Sequence, residues 1–420
     1  MQKLITNGLW PSGALWRHAG FLRLWAAQTV SSFGARIARE GFSMAAILSI
    51  HATPAQLGVL TALARGPGIV VGLFAGGFID RTSRKHVMIA SDLARVVLIA
   101  TIPAAAWLGL LTMGQLYVVA ALVGAASVLF DIADHAFLPS LIDREFLLDG
   151  NAKLSVTESV AEIAGPAMAG TLFQLFTAPF AMLGTAFTYL VSALFLFAIP
   201  ASELPPEQPS RKPRWHHGVT EGLAAIMAQS LVRALFWMTL GATYFGAFFW
   251  PLYLIYGIKV LGLSPALMGV TIAMGGVGAL CAASLSTWLA KRLGAGATMI
   301  GGYMAYAVAL ALVPLAHGPL WLATAMLMVA QFFGDAFAMA SMIPMTTLRQ
   351  AVLPKAMLGR TAALFGAAAG AMTVAGALSG GLLGDTIGIR ATLAISVVGI
   401  AGSVLILLFS PVRRLKEIPT

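Results

Sequence analysis

Apolar residues cluster along this chain in long runs, such as 69–79, 183–199 and 395–409, with none of the strict alternation that a lipid-facing strand requires. Runs of that length predict helices spanning a bilayer, since about 20 residues at about 1.5 Å each cross its hydrocarbon core. The pattern predicts about twelve spans, near 20–50, 54–79, 86–110, 115–139, 151–177, 180–200, 229–258, 264–290, 296–315, 319–348, 359–384 and 390–411. One stretch, 201–214, breaks the rhythm with Pro205, Pro206, Pro209 and Pro213, which cannot continue a helix. It divides six spans from six. The expected organisation is a six-helix bundle over 1–200, a linker with an interfacial amphipathic segment over 201–228, and a second bundle over 229–420. Asp131 followed by Pro139, and Asp335 followed by Pro344, near the ends of spans 4 and 10, suggest that the halves are repeats.

Composition agrees with lipid as the solvent: 59% of the 420 residues are hydrophobic, only 10% are charged, and mean hydropathy is +0.87. In hydrocarbon each segment must satisfy its own backbone, which leaves helices. The net charge of +10 needs no nucleic-acid partner, because most of the 26 Lys and Arg fall in alternate connections, including 81–85, 144–153, 211–233, 349–360 and 413–416. That asymmetry places both termini in the cytoplasm, as expected for a multi-pass protein of a bacterial inner membrane. The single cysteine, Cys281, excludes a disulfide within the chain. The first apolar segment runs too long for a cleavable signal and reads as the first span.

Ionisable groups inside spans are costly and by default functional. Span 1 carries Arg36, Arg39 and Glu40; span 2, Arg65; span 3, Asp92 and Arg95; span 4, Asp131, Asp134 and His135; span 5, Glu158 and Glu162; span 10, Asp335. Asp92 and Arg95 are i, i+3 neighbours, spaced for an ion pair. Glu158 and Glu162 share a face at i, i+4, which suits proton binding and release or, alternatively, pairing with an arginine of a neighbouring helix. Arg36 and Arg39 either meet an anionic substrate or neutralise Glu40. Span 7 is rich in aromatics, including Tyr244, Phe248 and Trp250, and span 10 in methionines, including Met339; such residues suit an adaptable pocket for an amphipathic molecule. His135 beside Asp131 and Asp134 lacks the companions of a metal or catalytic site, and no phosphate-binding Gly-x-x-x-x-Gly-Lys loop occurs. Neither an enzyme, a cofactor nor a bound metal is expected.

Between spans 2 and 3 stands Gly76-Gly77-Phe78-Ile79-Asp80-Arg81-Thr82-Ser83-Arg84-Lys85, which resembles the signature of the major facilitator superfamily, with Ser83 where a second glycine is usual. Ser91 to Arg95, Leu348-Arg349-Gln350, Pro354 and Gly359-Arg360 are similar to the proton-driven macrolide and siderophore exporters of that superfamily. In span 5, residues 161–170, with Gly165, Pro166 and Gly170, resemble its antiporter motif, Ala161 and Ala169 replacing glycines. The resemblance implies two pseudo-symmetric six-helix bundles, with spans 1, 4, 7 and 10 around a central cavity. Gly76, Asp80, Arg81, Arg84, Lys85, Asp92 and Arg95 would then form a latch between conformational states. Glu40, Asp131, Asp134, Glu158, Glu162 and Asp335 are the candidates for proton coupling, and Glu40, beyond the midplane, is the first. The expectation is a monomeric exporter of an amphipathic small molecule in exchange for protons, in contact with membrane lipid. The rivals are a facilitator or importer of a lipid-like or iron-chelate substrate, and a non-transporting receptor on the same fold.

Overall fold

The computed structural model describes residues 15–79, 81–200 and 215–419, so Asp80 and the proline-rich 201–214 lie outside the described residues. Among them run fourteen α-helices: α1 (Ala19–Ser49), α2 (Pro54–Ile79), α3 (Arg84–Trp107), α4 (Met113–Leu141), α5 (Leu147–Leu175), α6 (Ala178–Phe197), α7 (Trp215–Ala228), α8 (Ser230–Gly246), α9 (Phe249–Ile255), α10 (Pro265–Leu293), α11 (Ala295–Leu315), α12 (Leu320–Val352), α13 (Leu358–Thr386) and α14 (Ile389–Leu408). A π turn over Tyr256–Val260 continues α9, and α8, α9 and this turn form one span. Side-chain acceptors begin several helices: His18 caps α1, Thr112 caps α4 and Ser264 caps α10. Ser83 caps α3, accepting from the His86 N–H, which gives the residue that departs from the glycine pattern a local role.

With α7 set aside and α8 joined to α9, twelve long segments remain, of which ten are apolar enough to cross a membrane. The two exceptions are α1, which carries Arg23, Arg36, Arg39 and Glu40, and α5, which carries Asp149, Lys153, Glu158 and Glu162. They pack against each other. Ion pairs between the two lower the cost of placing these charges in a bilayer.

The packing order repeats between halves. In the first, α1 lies on α5 and α6, α2 on α4, and α3 on α4 and α6; in the second, α8 lies on α13 and α14, α10 on α12, and α11 on α12 and α14. This is the two-bundle, all-helical membrane fold. The bundles touch each other along α2–α13 and α5–α10. A short repeat makes both contacts: Pro54-Ala55-Gln56-Leu57-Gly58 opens α2, and Pro265-Ala266-Leu267-Met268-Gly269 opens α10. A Cβ on Gly170 of α5 would meet the Pro265 carbonyl and the Cα atoms of Ala266 and Gly269; one on Gly381 of α13 would meet the Pro54 carbonyl and the Cα atoms of Ala55 and Gly58. Backbones approach this closely only through glycine. Each contact is capped alike: Gln174 Oε1 accepts from the Ala266 N–H at 3.3 Å, and Asp385 Oδ2 from the Ala55 N–H at 3.2 Å.

These contacts close the end of the molecule that carries residues 50–53 and 261–264. Toward the basic loops the halves of the same helices are largely exposed, as over 151–160 of α5 and 287–293 of α10, whereas Ala161, Gly165, Pro166, Ala169 and Gly170 are buried. The space between the bundles opens at the basic end. There Lys85 reaches the carbonyls of Ile199 at 2.5 Å and Phe197 at 3.2 Å, and Arg23 reaches that of Ala198 at 2.7 Å, so cations cover the carboxyl end of α6.

Candidate functional site: a one-sided central cavity

A cavity of about 600 Å³ lies between the bundles, walled by α1, α2, α4, α6, α9 and α13. Its charged side chains are Arg39, Glu40, Arg65 and Asp131. Toward the basic end it adjoins a polar vestibule of about 330 Å³ that shares Asp131 and adds Gln28, Asp134, His135 and Glu158. On the other side an annex of about 210 Å³ shares Arg65, Trp250 and Thr373 and adds Tyr303 and Tyr306. The expectation that span 10 lines the main cavity is corrected here. The bundles approach along α2 and α13, so these two helices supply wall where α12 was expected, and α12 reaches only the annex, through Ala338.

The charges of α1 and α5 form one network. Arg36 Nη2 lies 2.7 Å from Glu162 Oε2 and 3.6 Å from Glu158 Oε1, and Arg39 Nη2 lies 3.0 Å from Glu162 Oε1. Arg39 Nε is 3.3 Å from Glu40 Oε1. Helical spacing sets this up: Glu158 and Glu162 share the face of α5 that meets Arg36 and Arg39, one turn apart on α1. Of the two alternatives for Glu158 and Glu162, the geometry is that of arginine pairing. Gly165 makes room for it, since a Cβ there would collide with the Arg36 side chain. Glu40 is only 6% exposed and, among the described residues, has Arg39 as its one hydrogen-bond partner.

The remaining candidates separate by surroundings. Asp92 and Arg95 pair within α3, both fully buried, with the guanidinium between the rings of Phe130 at 4.5 Å and Tyr189 at 4.2 Å. The two aromatic rings belong to α4 and α6, so the pair ties α3 to both helices. Gly76 lies near the end of α2, and Arg81 is exposed in the turn that follows. Asp134 accepts a hydrogen bond from Gln28. Asp131 has neither an ion pair nor a hydrogen bond among the described residues, and it lines both cavity and vestibule. Asp335 is set against Gly275 of α10 and lines none of the three spaces.

The aromatic and sulfur residues are sorted likewise. Tyr244 gives its hydroxyl to Ser379 Oγ at 3.0 Å, and Phe248 is 2% exposed and packed against Gly380. Tyr244 thereby joins α8 to α13, and Phe248, just before α9, packs on α13; neither lines the three spaces. Met339 also lines none of the three spaces, whereas Trp250 lines two of them. The residue missing from the expected site is Arg65, whose guanidinium lies over the Trp250 ring, 5.8 Å from its centroid. Its signal in the sequence is a lone cation within an apolar span. Among the described residues no group of three His, Cys, Asp or Glu is arranged to hold a metal ion.

Comparisons place this architecture among known proteins. An uncharacterized MFS-type transporter, YfiS of Bacillus subtilis (strain 168), is 27% identical over 392 residues, covering 88% of each chain. Among solved structures, the nucleoside transporter NupG, in a single-residue mutant form, superposes with a TM-score of 0.77 at 11% identity, covering 93% of this chain and 99% of that one. A bacterial homologue of the iron transporter ferroportin, in its inward-facing state, gives 0.74 at 16% identity, covering 93% and 98%. At such identities these two likenesses speak for the fold alone. The family model MFS_3, transmembrane secretion effector, matches residues 12–419, and the chain belongs to that family of integral, multi-pass membrane transporters.

Proposed function

We propose that this protein exports an amphipathic small molecule across the cytoplasmic membrane in exchange for protons, alternating between states open to either side. The observation that carries this reading is the one-sided cavity: sealed at one end by two matching glycine contacts and open at the other through a polar vestibule. A symmetric pair of seals is what two rocking bundles need, because each can part while the other half of the same helices closes. On this reading the open end, toward the basic loops, is cytoplasmic, with both termini and the 201–228 linker on that side, as the positive-inside pattern supports. Bundles over 1–200 and 229–420 are then the moving bodies, with Gly76, Asp80, Arg81, Arg84, Lys85, Asp92 and Arg95 as the latch at the cytoplasmic side.

Proton exchange needs a carboxylate that substrate and solvent reach in turn. Glu40 in the main cavity and Asp131 where cavity and vestibule meet lie at two depths of one path. The resemblance to macrolide and siderophore exporters supports the outward direction. The test is the purified protein in proteoliposomes with a pH-sensitive dye inside, challenged with amphipathic drugs and siderophore-like chelates. Substrate-dependent proton movement is expected. Substrate equilibration without proton movement would make the protein a facilitator, and no movement of either would favour a receptor.

A further inference from the structure

The four charged groups of the main cavity are unequally satisfied. Arg39 touches Glu40 and also holds Glu162. Arg65 and Asp131 are left over, each without an ion pair or hydrogen bond among the described residues. The electrostatic neighbours of Arg65 are Arg39 and Arg36, which repel it, and Glu40 and Glu162, which are engaged with Arg39. A guanidinium brings five N–H donors and no acceptor, and inside a membrane an unmatched one is costly enough to mark a function.

The geometry indicates what would match it. The Arg65 guanidinium lies over the Trp250 ring, 5.8 Å from its centroid, and both residues line the cavity. A carboxylate binds a guanidinium edge-on, through two parallel N–H···O bonds, without displacing the ring. Beyond it the wall is apolar, with Ile69, Val123 and Leu254, and a volume of about 600 Å³ suits a drug-sized body. Arg65 comes from the first bundle and Trp250 from the second, so an anion held there would bridge the two moving parts.

We infer that Arg65 and Trp250 form the head-group subsite of the central cavity, which takes the carboxylate of an amphipathic substrate while its apolar body lies along the wall. This rests on the reading of the protein as a transporter of amphipathic molecules and adds the sign of the substrate's charge. Asp131, on another wall, is then where the exchanged proton keeps a second negative charge out of the occupied cavity.

The test uses the full chain in lipid nanodiscs and three probes of equal length: dansyl-undecanoate, its methyl ester, and the corresponding dansyl-undecyltrimethylammonium. Energy transfer from tryptophan to dansyl, corrected with empty nanodiscs, gives Kd. The acid should bind about tenfold more tightly than the ester, the strength expected of a charge-assisted bidentate contact. Arg65→Gln should bring acid and ester to within about twofold of each other, and Arg65→Lys should restore part of the preference. Equal binding of acid and ester to the native chain, tighter binding of the cation, or an unchanged preference in Arg65→Gln would each overturn the subsite. The two outcomes on the native chain decide the matter even if a variant does not fold. Failure of all three probes to bind would overturn the amphipathic reading as well.

Discussion

The side chain of Arg36 occupies the space that a Cβ on Gly165 would need, with Arg36 Cβ 2.6 Å from that position. The glycine of the antiporter-like motif thus lets α1 come close enough for Arg36 and Arg39 to hold Glu162. Gly165→Ala should push the helices apart, and overpacking of this kind costs about 1–3 kcal/mol. The expected outcome is a lower Tm together with reduced transport in proteoliposomes. Unchanged values of both would mean that the helices separate freely at this point.

Glycine at 170 and at 381 serves a different contact, between bundles rather than within one. Gly170→Val or Gly381→Val should keep the sealed end from closing and favour the opposite state. Thr373 lines the main cavity, and Cys281 is exposed, so the test is made on Thr373→Cys in a Cys281→Ala background. An impermeant thiol reagent added outside intact cells should label that cysteine poorly, and at least severalfold faster once either valine is present. Equal labelling with and without valine would refute the seal.

The caps on these contacts give a finer test. Gln174 and Asp385 each accept a backbone N–H from the helix of the opposite bundle, and loss of such a cap costs about 0.5–2 kcal/mol. Both bonds cross between the bundles at the closed end. Gln174→Ala and Asp385→Ala should therefore each shift the balance between states in the direction of the valine variants, but less, and the double variant should add the two shifts. Thr53 also donates to Asp385, at 3.0 Å, so the aspartate variant should show the larger effect.

The extent of the helices was legible in the sequence because the bilayer imposes one rule on every span: apolar side chains over about 20 residues. The rule fails where two spans shelter each other's charges, as α1 and α5 do, and the pattern of intramembrane charges is what recovers them. The repeat was legible twice, in the Asp and Pro of α4 and α12, and more directly in the Pro-Ala-x-x-Gly openings of α2 and α10, which only the packing brings to notice. Which side of a helix faces the cavity was not legible. α9, Phe249–Ile255, is apolar all round, and nothing in the spacing of this stretch separates Trp250 at the cavity wall from Phe248 in the core. Arg65 stood out by type but not by place, because its lack of an ion pair emerges only when Glu40 is seen to be engaged by Arg39, and the α5 glutamates by Arg36 and Arg39.

Glu40 and Asp131 divide the coupling question between them. Removing a charge from a buried pair ordinarily destabilises by leaving its partner alone. That objection is weak for Glu40, because Arg39 keeps Glu162 at 3.0 Å when Glu40 is neutralised. Glu40→Gln should therefore lower Tm by less than about 3 °C, which corresponds to about 1 kcal/mol in a domain of this size. Coupling should respond quite differently. In inverted vesicles with an imposed pH gradient, Glu40→Gln should bind substrate and equilibrate it but fail to accumulate it. Asp131→Asn, which removes a carboxylate with no ion pair or hydrogen bond among the described residues, should also leave stability intact and should slow proton entry from the vestibule. If Glu40→Gln accumulates substrate normally and Asp131→Asn does not, Asp131 is the coupling group and Glu40 belongs to the arginine network. If Glu40→Gln instead loses stability, its contact with Arg39 carries more of the fold than the single 3.3 Å approach suggests.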